Sequence, residues 1–201
     1  MIGILGGMGT QAGLDFCNKL AKLNRGKLDQ KYPLFILYNK SNIPRRAENI
    51  KKYHNVLKAL INGCKVLQNN KCKFIVMPCN TAHHWYKDLK KEIRIPIISM
   101  PKEVYLNTKN KCKKNSKIGI LCTEATWKAK IYNEYFDNNF QLICPNLKLQ
   151  KNSVNKCINY VKKGKIREAE KAIKPAVNYL IKMKCKKIIL GCTELPIAIF
   201  A

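Results

Sequence analysis

Short apolar runs closed by turn-forming residues alternate along this chain with longer segments of helical periodicity. The runs are Met1–Leu5, Pro33–Tyr38, Phe74–Met77, Ile95–Ser99, Lys117–Leu121 and the Ile-Ile-Leu inside Cys185–Glu194. Each reads as a buried strand. Between them, helices are expected from about Gln11 to Leu23 and from about Arg46 to Leu67. The second shows one apolar face: Ile50, Tyr53, Leu57, Leu60, Ile61, Cys64 and Leu67. Further helices are expected up to about Ile93, from Met100, and over Trp127–Phe136, Ser153–Lys163 and Ile166–Lys182. Pro175 should kink or split the last of these. Strands alternating with helices predict an α/β fold with mainly parallel sheets.

The second half echoes the first. Lys117-Ile-Gly-Ile-Leu-Cys-Thr-Glu-Ala-Thr126 repeats the pattern of Met1-Ile-Gly-Ile-Leu-Gly-Gly-Met-Gly-Thr10, with Ile118 lying 116 residues after Ile2. Gly191-Cys-Thr-Glu194 repeats Pro78-Cys-Asn-Thr81, with Cys192 lying 113 residues after Cys79. Two echoes at nearly one offset point to a duplicated unit and two pseudo-symmetric α/β lobes. A polar basic bridge ends at Lys117, so residues 1–100 form the first lobe and 101–201 the second.

In both lobes an apolar run delivers a cysteine to the carboxyl end of a strand, where open α/β sheets place their ligands. Taken singly, a cysteine there is more often a packed core residue. Cys79 with His83 and His84 could also contribute to a metal site, or Cys79 with His83 to a hydrolytic nucleophile–base pair. The pairing of the motifs opens another chemistry. If the lobes set Cys79 and Cys192 on opposite sides of one cleft, a thiolate on one face of a substrate carbon removes its proton. The thiol on the other face then returns one, inverting the centre. The glycine turn Gly6–Thr10 matches neither G-x-G-x-x-G nor a P-loop, so it gives no nucleotide signature.

Three motifs together carry a resemblance: Gly-Gly-Met-Gly at 6–9, Pro-Cys-Asn-Thr-Ala-His at 78–83 and Gly-Cys-Thr-Glu-Leu at 191–195. They resemble the aspartate/glutamate racemases that use no pyridoxal phosphate, and do so over essentially the whole chain. The resemblance implies two lobes with the active site in the cleft between them, no cofactor, no metal, and a homodimer. Cys79 and Cys192 fall on the family's two catalytic positions. Asn80, Thr81, Thr123 and Thr193 would hold the α-carboxylate and amine of an acidic amino acid. Arg46 would grip the side-chain carboxylate, with Lys162 nearby, and Met8 and Thr10 would line the floor. Read by itself rather than from the resemblance, His83 caps or orients its turn in preference to acting as a base. Glu194 after the second Cys-Thr is similar to the aspartate branch, whereas glutamate racemases usually have histidine there. The resemblance therefore implies interconversion of L- and D-aspartate, with a glutamate racemase or an idle amino-acid-binding relative as alternatives. Thr10 stands where proline is usual, and Pro44-Arg-Arg-Ala47 where Pro-Asp-Arg-Thr is usual. Family members also continue past the equivalent of Ala201 with a strand and helix that return to the first lobe. Without them, apolar surface would be left uncovered.

Composition changes this picture little. Formal net charge is +27 over 201 residues, which raises nucleic acid as a partner. The lysines are scattered through every helix without a basic tail or binding motif, so a solvated surface that steers acidic substrates is expected, with no nucleic-acid or membrane partner. Ten cysteines without a C-x-x-C pair read as reduced, and no apolar run nears membrane-spanning length. A cytoplasmic protein is the resulting expectation.

Overall fold

A computed structural model describes residues 1–26, 28–46, 48 and 53–199. The chain divides into two compact units, Met1–Met100 and Pro101–Ala201. In the first, strands β1 (Ile2–Gly6), β2 (Phe35–Asn39), β3 (Phe74–Val76) and β4 (Ile97–Ile98) form a sheet of order β2-β1-β3-β4, all parallel. Helices α1 (Thr10–Leu23), α2 (Tyr53–Asn69) and α3 (Tyr86–Glu92) connect them, and α4 (Met100–Lys111) starts at the unit's last residue. Ile4, Leu5, Ile75 and Met77 are fully buried, as strands covered on both faces require.

The second unit holds a three-stranded parallel sheet, β6-β5-β7, from β5 (Lys117–Cys122), β6 (Gln141–Ile143) and β7 (Lys187–Gly191). Its helices are α5 (Glu124–Lys128), α6 (Asn133–Phe136), α7 (Leu147–Leu149), α8 (Lys156–Lys162), α9 (Ile166–Lys182) and α10 (Leu195–Ile199), with one π-helical turn at Gln150–Asn155. The sequence echo is an echo of register. Ile2 pairs with Phe74 in the first sheet, and Ile118 pairs with Lys187 in the second. These partners are again 116 and 113 residues apart, so the strands that carry the two cysteine motifs occupy equivalent places beside the two central strands.

Three helix expectations differ from the structure. The helix expected from Arg46 is described only from Tyr53; Arg46 and Glu48 lie in turns, and Ala47 and residues 49–52, including Ile50, fall outside the described residues. The helix expected over Trp127–Phe136 is two helices. Lys130 has φ +51, Ile131 N–H donates to Thr126 C=O and Lys130 N–H to Trp127 C=O, which is a Schellman stop. Conversely, α9 runs unbroken through Pro175. There the Ser153 hydroxyl enters the helical ladder: it donates to Ala172 C=O at 2.5 Å and accepts from Ala176 N–H at 3.3 Å. The Ala172 carbonyl and Ala176 amide, the pair one step past the Lys171 carbonyl whose donor the proline removes, are thus joined through the π-helical turn.

Candidate active site

Each unit builds half of the expected constellation. In the first, β3 ends at Val76 and Cys79 N–H closes a tight turn on Met77 C=O at 2.7 Å. Cys79, Asn80, Thr81 and His83 are all buried in the short 3₁₀ segment that follows or at its entry. The Cys79 carbonyl lies 3.0 Å from His83 Nδ1, and Met100 N–H donates to His83 Nε2 at 3.1 Å. Both imidazole nitrogens are thereby occupied. Burial pushes His83 below its ordinary value, so a neutral ring is what this environment favours.

The glycine turn approaches from β1. Gly7 has φ +86, and a Cβ there would stand 2.3 Å from the Lys40 carbonyl carbon and 2.6 Å from Ser41 N. Only glycine satisfies both the backbone angle and this contact with the loop after β2. Met8 is buried within the first core, whereas Thr10 is exposed at the start of α1. Arg46 ties that turn to its own loop: Nη2 donates to Met8 C=O at 2.5 Å, and Nη1 to Pro44 and Ile43 carbonyls at 3.2 and 3.4 Å. Its Nε is buried with no hydrogen-bond partner among the described residues. Arg46 therefore spends most of its guanidinium on backbone, a bracing role that the sequence did not predict.

In the second unit, Cys192 lies just past β7, buried, and its thiol donates to Glu194 Oε2 at 3.0 Å. Thr193 Oγ1 donates to the same oxygen at 3.5 Å. Glu194 is itself buried, and the exposed Lys162 stands 4.0 Å from its other oxygen, Oε1. Lys162, expected beside a substrate carboxylate, is thus placed beside a carboxylate of the protein. Glu194 also adds to burial in pushing the Cys157 thiol up to about 11. Thr123 caps α5, its Oγ1 accepting from Thr126 N–H at 3.1 Å and lying 3.0 Å from Thr126 Oγ1. This turn corresponds to Gly7 in the first unit, but a threonine cap replaces the glycine. Tyr132 is a residue the sequence gave no reason to single out. It is buried close enough to Cys122 and Cys192 that their charges add to burial in raising it.

A family model for the Asp/Glu/hydantoin racemases matches residues 5–200. The chain belongs to that family. Among curated relatives, the broad specificity amino-acid racemase RacX of Bacillus subtilis is 28% identical over 199 residues, covering 97% of this chain and 86% of its own. Among solved structures, Picrophilus torridus aspartate racemase superposes with a TM-score of 0.86 at 30% identity, covering 98% of this chain and 82% of the other. An aspartate racemase homologue from Pyrococcus horikoshii gives 0.77 at 25%, covering 98% and 87%. The α/β architecture with parallel sheets is that of these racemases. The protein is an amino-acid racemase and hence an isomerase. No helix among its described residues is long and apolar enough to cross a membrane.

Proposed function

We propose that this racemase interconverts L- and D-aspartate without a cofactor, Cys79 and Cys192 acting as the two acid–base groups at Cα. One observation carries the reading: two buried cysteines follow equivalent parallel strands, β3 and β7, in units repeated at one register. In one direction a thiolate takes the Cα proton and becomes a thiol; the opposite thiol protonates the other face and becomes a thiolate. The product is the enantiomer, and the two sulfurs have exchanged protonation states. This chemistry requires the two half-sites to meet around one substrate carbon.

Asn80, Thr81, Thr123 and Thr193, with the amides of their turns, are assigned to the α-carboxylate and amine. Met8 and Thr10 are assigned to the floor, and Arg46 to the side-chain carboxylate through its unused Nε. Lys162 acts at that carboxylate through Glu194 rather than alone. The preference for aspartate draws on the similarity to the Picrophilus enzyme, 30% identical over nearly all of this chain. The similarity to a broad-specificity racemase supports a wider substrate range as the second reading. The same proposal includes a cytoplasmic homodimer with no nucleic-acid or membrane partner.

Proton NMR in D₂O with L-aspartate, D-aspartate and L-glutamate, without added cofactor, tests it. Loss of the Cα–H signal with aspartate, with the opposite enantiomer on a chiral column, is expected for wild type and abolished by Cys79→Ala and by Cys192→Ala. Equal rates on glutamate and other amino acids would replace the aspartate reading by the broad one. Binding without exchange would identify an idle relative.

A further inference from the structure

We infer that His83 is a positioning residue of this reaction, its imidazole tying the Cys79 turn to the chain where the first unit ends. The inference rests on the role proposed for Cys79. A backbone amide can only donate, so the Met100 N–H contact at 3.1 Å presents a donor to Nε2, while the backbone of Cys79, Ile98 and Asn80 also hydrogen-bonds to the ring. The tautomer that satisfies both the Met100 amide and the Cys79 carbonyl carries its proton on Nδ1, donated to that carbonyl at 3.0 Å, and is the one we assign. Met100 opens α4, where the first amides have no partner within the helix. Nε2 supplies one from 17 residues away. Met100 is also the last residue of the first unit.

The ring cannot easily turn away from this arrangement. It stacks on Tyr86 at 6.1 Å between centroids and 25° between planes, and the Tyr86 hydroxyl donates to Ile97 C=O at 3.1 Å. His83 thus connects the strand-end turn, α3, β4 and the start of α4 through one side chain. With both nitrogens engaged, it offers no lone pair to a metal and no free base to a nucleophile. The hydrolytic alternative for Cys79 loses its histidine, and the metal alternative loses one of its two. What remains is control over where the Cys79 sulfur points. Displacement of a reacting group by about an ångström is enough to cost roughly a hundredfold in rate.

The test compares wild type with His83→Ala, His83→Asn and His83→Gln. Nitrogen-15 NMR of the histidine-labelled wild-type protein at neutral pH should show the Nδ1–H tautomer for His83. Hydrogen exchange at the Met100 amide should quicken in the alanine and asparagine variants and remain slow in the glutamine variant, whose side-chain oxygen can replace Nε2. Turnover should fall roughly ten- to a hundredfold in His83→Ala with KM changed far less, and recover in part in the two amide variants. The shape of the pH–rate profile should not change, because no titrating base has been removed. An Nε2–H tautomer or an imidazolium in the wild type would overturn the inference, as would a folded His83→Ala variant with wild-type turnover. If wild type itself does not exchange Cα–H, the tautomer and the Met100 amide still decide whether the tie exists, and only the reading of the reaction fails.

Discussion

The Cys192 thiol donates to the Glu194 carboxylate at 3.0 Å, and both groups are buried. That bond defines the state of the second half-site. The sulfur is the donor in that bond, so in this geometry the proton lies on Cys192, the state that the proposed reaction needs when this cysteine acts as the acid. In the proposed reaction turnover itself exchanges the protonation states of the two sulfurs. Glu194, with Lys162 4.0 Å from its far oxygen, is the neighbouring group through which Cys192 could also exchange its proton between turnovers.

Glu194→Gln keeps the shape and removes the charge. We expect kcat/KM for both enantiomers to fall together by roughly ten- to a hundredfold, since charge-assisted bonds are about twice as strong as neutral ones and the proton acceptor is gone. The two directions must fall equally because the equilibrium constant of a racemisation is one. Lys162→Met should cost only about threefold, as its side chain is 56% exposed and its pairing is screened by water. Chiral assays of both enantiomers across pH check the pair. A Glu194→Gln variant as active as wild type would remove Glu194 from the proton path.

Helix ends supply a stability prediction. Lys71, Lys130 and Lys184 have φ +61, +51 and +61, each at a Schellman stop: the next residue donates back to Leu67, Thr126 and Leu180 respectively. Among the described residues, only the stop after α8 uses glycine, Gly164 at φ +72. A side chain in that conformation costs about 1 kcal/mol. Lys71→Gly, Lys130→Gly and Lys184→Gly should therefore each raise unfolding free energy by about 0.5–1 kcal/mol, nearly additively because the sites are far apart in the chain. Urea midpoints at constant slope measure this. A fall in all three would mean the lysines hold these turns by contacts that glycine cannot supply.

Gly7 is the opposite case. Gly7→Ala would put a methyl 2.3 Å from the Lys40 carbonyl carbon at a positive φ, and neither backbone segment can yield cheaply. We expect a loss of at least about 2–3 kcal/mol and an altered turn at Met8. Denaturant titration beside the Cα–H exchange assay would register both effects. Wild-type stability in this variant would show that the loop after β2 moves freely.

These residues also show how far the chain could be read in advance. All strand positions but one, the repeat and the two cysteine turns follow from apolar runs and their spacing, because burial on both faces leaves a direct imprint on composition. The exception is the edge strand β6, Gln141–Ile143, which is only partly buried and which no apolar run announced. The stop at Lys130 left none: lysine is so common here that one in the left-handed region looks like any other. Pro175 signalled a break that does not occur; Ser153, distant in sequence, bridges the ladder one step past it. Glu194 was visible as the residue after Cys-Thr. Its bond to the thiol two positions back was not, since that depends on how the turn folds. Arg46 and Lys162 fell on family positions, yet the partners they find in the structure are backbone carbonyls and Glu194. Such tertiary pairings are invisible to motif spacing.

Acid sensitivity follows from the histidines after Cys79. Burial lowers His83, and also lowers His84 against the opposing charge of Asp88, from the ordinary value of 6.5. Below pH 6.5 the unfolded chain takes up protons that the folded chain refuses, so stability is intact above that pH and falls as pH drops through it. The slope is about 1.4 kcal/mol per pH unit for each histidine that stays neutral. His84 is only partly buried and should protonate in the folded state first, leaving His83 to dominate at lower pH. Urea midpoints at pH 7.5, 6.5 and 5.5 should therefore decline progressively, and His83→Asn should flatten the decline whatever its effect at neutral pH. An unchanged slope in that variant would mean that His83 accepts a proton in place, and the imidazole could not then be holding the Met100 amide.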